Sequence, residues 1–82
     1  MNRKDILEKI ASCLADVLDE DSVTLDEKTT ADDVEGWDSI SHVKLIIALE
    51  TALGIRFESN EITAPENVGQ MVDLVESKLA RA

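Results

Sequence analysis

Eighty-two residues suffice for one small core, because a chain of this length buries only about 60% of the surface its unfolded form exposes; a single domain over 1–82 is expected. Eighteen acidic against eight basic residues leave a net charge of −10, which disfavours nucleic acid and anionic lipid, since neutralising phosphates needs clustered Lys and Arg. Basic protein surfaces are the complementary partners, and no apolar run reaches the roughly 20 residues of a membrane span.

The first predicted element is a helix over 3–18. Ile6, Leu7, Ile10, Cys13, Leu14, Val17 and Leu18 recur at three- and four-residue spacing, with Glu8, Lys9, Ser12 and Asp16 between them. Asn2, followed three residues later by Asp5, can cap its start. The lone Cys13 has no internal disulfide partner and falls on the apolar side, where a small buried thiol is the common case. The segment turns amphipathic and acidic rather than into a signal-peptide core, so the cytoplasm is the expected location.

Residues 19–38 lose the helical period. Acids crowd this stretch, while Val23, Leu25, Val34 and Trp37 stand as isolated apolar anchors, which argues for an ordered loop rather than a disordered one. It leads to the corner Gly36-Trp37-Asp38-Ser39, where Asp38 or Ser39 can satisfy free N–H groups of the next helix.

That second helix is predicted over 39–53, with a glycine stop at Gly54 and the apolar Ile55 after it. Stepping 100° per residue gathers Leu45, Ile46, Leu49, Ala52 and Leu53 into a core stripe; Ile40, Lys44, Ile47 and Thr51 fall opposite, with Val43 and Glu50 on the flank. Two isoleucines on the wet face suggest a docking surface. A short third element is expected at 58–62, held by Phe57 and Ile62. After Pro65, Asn67 to Gln70 resembles a capping box, and Val68, Met71, Val72, Val75 and Leu79 form the stripe of a last helix.

The chemistry centres on Ser39, a reachable hydroxyl at a helix start. To act as a nucleophile unaided it would need a base and an oxyanion site, and the only histidine, His42, falls at core-facing angles with nothing placed to orient it. The acidic loop lacks the ordered oxygen ligands, central glycine and final glutamate of a calcium loop, so no metal site beyond weak divalent binding is expected. Ser39 therefore reads as a site acted on by another enzyme.

Taken with its flanks, Asp38-Ser39-Ile40 resembles the Asp-Ser-Leu signature of the acyl carrier proteins, in the phosphopantetheine-binding superfamily. The preceding Gly36-Trp37, the following Val43 to Glu50 and the Gly54-Ile55-Arg56-Phe57 exit extend the likeness over essentially the whole chain. The resemblance implies an all-α, right-handed four-helix bundle with a long first loop and a short third helix. Ser39 would bear a covalent 4′-phosphopantetheine arm, drawn from coenzyme A, whose thiol carries an acyl or aminoacyl thioester. Such a chain is a monomeric carrier rather than an enzyme. Its implied partners are a phosphopantetheinyl transferase, an acyl- or aminoacyl-loading ligase or acyltransferase, and a ketosynthase or other acyl-processing enzymes.

The implied docking residues are Asp38, Ile40, Lys44, Ile47, Glu50 and Phe57. Negative charge at Glu35, Asp38 and Glu58 would steer basic surfaces, and Ile40 and Ile47 would form the desolvated contact. An acyl chain would be able to fold back between the helices. Departures also matter: Ser41, His42, Lys44 and Thr51 interrupt the acidic second-helix face of carriers in central fatty-acid synthesis, pointing to a specialised lipid, polyketide, nonribosomal-peptide or cell-envelope pathway. A peptidyl or aminoacyl carrier loaded by an adenylating ligase, and an unmodified interaction module, are the alternatives.

Overall fold

The computed structural model describes residues 1–81, which form four α-helices: α1 (Arg3–Leu18), α2 (Ser39–Leu53), α3 (Ser59–Thr63) and α4 (Val68–Arg81). The long loop between α1 and α2 carries a 3-10 turn at Ala31–Asp33, and no strand occurs among the described residues. Among the described residues, no helix is long and apolar enough to cross a membrane. The architecture is the expected all-α one.

The apolar stripes meet as their periodicity dictates. Ile6, Ile10 and Leu14 of α1, Leu45 and Leu49 of α2, and Val68, Val72 and Val75 of α4 are fully buried, and α1 packs against both α2 and α4. Each such side chain contributes roughly 1.5–3 kcal/mol relative to remaining in water. The stripe expected on α2 holds at Leu45, Ile46 and Leu49, is half-buried at Leu53, and fails at Ala52, which is exposed. A helical wheel gives the direction of a side chain but not how far along the axis a neighbouring helix reaches.

Local chemistry sets the helix ends. The Asn2 side chain accepts from the Asp5 N–H at 2.8 Å, and Gly54 stops α2 in the left-handed conformation, φ 67°. α3 begins and ends one residue later than expected, with the Glu58 N–H donating to Glu61 Oε1 at 2.7 Å. At α4, Asn67 Oδ1 accepts from the Gln70 N–H at 2.8 Å as anticipated. The return arm is displaced by one residue, since Gln70 Oε1 accepts from Glu66 N–H at 2.9 Å.

The loop is anchored by buried Leu25 and Trp37, with Val23 and Val34 packed against the core and its acids exposed. The first turn of α4 holds it as well. A helix N-terminus carries N–H groups with no intrahelical partner. Here Val68 N–H donates to the Thr29 carbonyl at 2.8 Å and Gly69 N–H to the Glu27 carbonyl at 2.9 Å. Arg3 adds side-chain ion pairs to Glu27, Asp73 and Glu76, joining α1, the loop and α4. The hydrogen-bonded Arg3 guanidinium holds the Glu27 carboxyl below the usual carboxylate range.

Gly69 is needed at this junction, because a Cβ there would come within 2.8 Å of the Glu27 carbonyl oxygen. Alanine favours a helix by about 1 kcal/mol over glycine, whereas overpacking against backbone costs about 1–3 kcal/mol. Gly69→Ala is therefore expected to lower stability despite the better helix former. A chemical denaturation midpoint at or above wild type would show that the loop yields freely.

Candidate functional site around Ser39

Gly36, at φ 89°, turns the chain so that Trp37 points inward and is buried while Asp38 emerges. Asp38 caps α2: its Oδ1 accepts from the Ser41 N–H at 2.8 Å, and its carbonyl accepts from the His42 N–H at 2.8 Å. Ser39 is thereby the first residue of α2, and it is exposed.

The Ser41 backbone N–H, with further donors at this helix start, holds the Asp38 carboxyl below its ordinary range. A depressed folded-state value means that this cap stabilises the fold fully above the unfolded-state value, near pH 4, and loses its effect as pH falls through the folded value. Asp38→Asn keeps an acceptor but removes the titration. The variant should show a shallower loss of melting temperature below about pH 4 than wild type. Superimposable acid limbs would overturn this account of the cap.

His42 stands one turn into α2, half-buried. The Trp37 Nε1–H donates to its Nδ1 at 3.1 Å, and its Nε2 lies 2.7 Å from the Ile62 carbonyl oxygen. One tautomer satisfies both contacts, with the proton on Nε2 donated to Ile62. The imidazole also stacks on the indole, ring centres 6.0 Å apart and planes inclined by 26°. Both ring nitrogens are committed, so His42 is not free to act as a base on the Ser39 hydroxyl. The histidine expected at the edge of the core is there, but its role in joining the loop, α2 and α3 was not evident from helical angles. The available signal was the presence of the chain's lone Trp and lone His five residues apart.

A groove of about 440 Å³ opens beside Ser39, lined by Ala31 and Asp32 of the loop, Trp37 and Asp38 of the corner, His42 and Val43 of α2, and Ile62, Thr63 and Pro65. Along the outer face of α2, Ile40 is 69%, Val43 48% and Ile47 56% exposed. Lys44 is exposed between them and forms no ion pair among the described residues. The structure thus brings Asp38, Ile40, Lys44 and Ile47 onto one accessible face with Ser39.

The remaining two expected docking residues are engaged internally. Glu50 is half-buried, and its Oε2 accepts from the Phe57 N–H at 2.9 Å, tying α2 to the segment before α3. Phe57 is half-buried against the core with Lys78 Nζ 5.6 Å from its ring centre. Cys13 is buried away from this face, and burial pushes its thiol up, so it offers no reactive thiolate here.

Comparison with known proteins agrees with this geometry. The family described as "Phosphopantetheine attachment site" matches residues 8–75. The acyl carrier protein of Saccharopolyspora erythraea is 33% identical over 81 residues, covering 99% of this chain and 85% of that protein. That of Petrotoga mobilis is 36% identical over 81 residues, covering 96% and 93%. The solution NMR structure of a holo acyl carrier protein from Geobacter metallireducens superimposes with a TM-score of 0.82 at 41% identity, covering 92% of this chain and 86% of that one. The chain belongs to the acyl carrier protein family, whose cofactor is a covalently attached 4′-phosphopantetheine.

Proposed function

We propose that this protein carries acyl intermediates as thioesters on a 4′-phosphopantetheine arm attached to Ser39, in a specialised lipid, polyketide or related biosynthetic pathway. The observation that carries the assignment is the exposed Ser39 hydroxyl at the first residue of α2, beside an open groove. Ser59 also begins a helix, but that helix has five residues and Ser59 lies outside the groove. The residues present suit the arm, because a tethered chain needs an accessible hydroxyl and an unobstructed path away from it.

In the modification step, Ser39 Oγ gives its proton to a phosphopantetheinyl transferase and bonds to the pantetheine-side phosphorus of coenzyme A. The pyrophosphate bond breaks and adenosine 3′,5′-bisphosphate leaves. Positioning and Mg²⁺ on the transferase supply the catalysis; this chain supplies a serine held outward by the Asp38 cap. When attached, the arm provides a thiol that takes cargo as a thioester. The acids at Glu35, Asp38 and Glu58 are exposed and steer basic partner surfaces toward Ser39.

The test is intact mass after incubation with coenzyme A, Mg²⁺ and a promiscuous transferase, followed by peptide mapping. An arm on any peptide other than that containing Ser39, or no arm alongside an active control carrier, overturns the assignment. Mass spectrometry of protein from its native cells would identify the cargo. ATP-dependent loading with an amino acid would identify the aminoacyl alternative.

Lys44 is assigned a selectivity role on this face. Its unpaired positive charge lies beside Ile40 and Ile47, where it opposes a generically basic partner and favours one with a matching acid. Lys44→Glu is expected to raise turnover by a general fatty-acid ketosynthase and lower it with the cognate partner, most clearly at low salt. Parallel changes on both enzymes would return Lys44 to the solvated surface.

A further inference from the structure

Charge is divided unevenly about Ser39. Residues 31–38, immediately before it, hold Asp32, Asp33, Glu35 and Asp38, all exposed, and no cation. Residues 39–57, which begin with it, hold two cations, Lys44 and Arg56, and a single acid, Glu50. In a chain with a net charge of −10, that second stretch is the exception.

Packing sharpens the contrast. Glu50 is half-buried with its Oε2 accepting from the Phe57 N–H, a bond that also draws residues 55–57 back against the last turns of α2. Arg56 therefore stands beside the end of that helix, exposed between buried Ile55 and half-buried Phe57. Arg3 and Lys78 are neutralised by acids, whereas neither Lys44 nor Arg56 forms an ion pair among the described residues, even with Glu58 two positions beyond Arg56.

The 15 residues of α2 span about 22 Å, against a screening length of about 8 Å at physiological ionic strength. The acidic corner at one end and Arg56 at the other thus act as separate charges instead of cancelling. Exposed Ile40, Val43 and Ile47 lie between them. An apolar band on one helix fixes where a partner lands, but not which way round it lies.

We infer that the face of α2 is a docking surface with two unlike ends, fitted to a protein partner that presents basic side chains to Asp32, Glu35 and Asp38 and carboxylates to Lys44 and Arg56. The reversed pose sets acid against acid and cation against cation, and like-charge contact of this kind excludes wrong arrangements. Nucleic acid and anionic membrane fit poorly, because phosphates that matched the cations would also meet the acids of the corner. The inference rests on the arm-bearing reading of Ser39 and extends it: orientation along α2 decides whether Ser39 meets the partner's entrance or its outer wall.

The probe is a synthetic amphipathic helical peptide with leucines along one face, lysines toward one end and glutamates toward the other. It carries a nitroxide label at either end, and broadening of the protein's amide signals is read by NMR at low salt. A label at the lysine end is expected to broaden the amides of Glu35 to Ser41 about fivefold or more over those of Thr51 to Phe57, and a label at the glutamate end to invert that ratio. About 1 M salt, with a screening length of about 3 Å, should bring both ratios toward unity.

The variant combining Lys44→Glu with Arg56→Glu has acids at both ends of the face. It should fold as wild type does, since both side chains are exposed and unpaired, and it should lose the preference of the glutamate-end label for Thr51 to Phe57. Equal broadening at both ends of the wild type, an inverted pattern or no binding overturns the inference. So does a double variant that orients the peptide as wild type does. Transferase labelling reads the foundation separately: no arm on Ser39 overturns the carrier reading and this role with it, whereas an arm-bearing protein that leaves the peptide unoriented overturns the orientation alone.

Discussion

A Ser39→Ala protein is expected to fold as the wild type does and to take up no arm at all. Ser39 is exposed, and its hydroxyl enters no hydrogen bond among the described residues. The cap that starts α2 depends on Asp38 accepting from the Ser41 N–H, which the substitution leaves in place. Removing one solvent-facing oxygen should change stability by no more than about 0.5 kcal/mol. Modification, by contrast, should be all or none, because among the described residues no other serine both begins a helix and lines the groove. The paired measurements are thermal unfolding and intact mass after transferase treatment. A Ser39→Ala protein that still gains the arm would move the site elsewhere; one that fails to fold would make the serine structural.

Ile46→Ala and Ile47→Ala should separate stability from turnover. The two side chains have the same size and adjacent positions, yet Ile46 is buried and Ile47 is 56% exposed. Truncating a buried isoleucine costs about 2–5 kcal/mol through lost transfer energy and the cavity left behind, so Ile46→Ala should lower the melting temperature by roughly 8 °C or more. Ile47→Ala should cost under about 1 kcal/mol, because much of its surface is wet already. Its larger effect should be on partners. With Ile40, Ile47 supplies the apolar area on a face otherwise rimmed by charge, and a contact of that kind carries a disproportionate share of binding energy. Transferase or ketosynthase kinetics should show Ile47→Ala weakened several-fold in kcat/KM at least, about 1–2 kcal/mol of lost contact. Equal thermal destabilisation of the two variants would reverse the facing of α2.

What was legible in the residues is local. Ile6, Ile10, Leu14, Leu45 and Leu49 reveal their burial through spacing, because a helix repeats its inward direction every three or four residues. Asn2, Asp38 and Gly54 reveal the helix ends, because each cap is closed by atoms within a few residues. The Ser39 corner was legible for the same reason.

What escaped depends on which distant segment arrives alongside. Glu50 looks like a surface acid on the wheel, and only the return of the chain after Gly54 brings the Phe57 N–H to its carboxylate. His42 looks like a core-edge residue, and its partner across the groove lies in an element too short to announce its position. The docking of Val68 and Gly69 onto the carbonyls of Thr29 and Glu27 has no periodic signature, since backbone groups are common to every sequence.

That last contact makes the Ser39 corner a property of the whole fold. α1 and α2 are built from contacts between near neighbours and can form early, whereas the loop between them is fastened at 27–29 by residues that come much later in the chain. Closing such a long span costs chain entropy that local pairing does not. The path of the chain between α1 and Gly36 is therefore held in part by the first turn of α4. A peptide spanning 35–43 alone would contain every letter of the signature and the Asp38 cap, but not the fastening at 27–29 that fixes how the loop reaches Gly36.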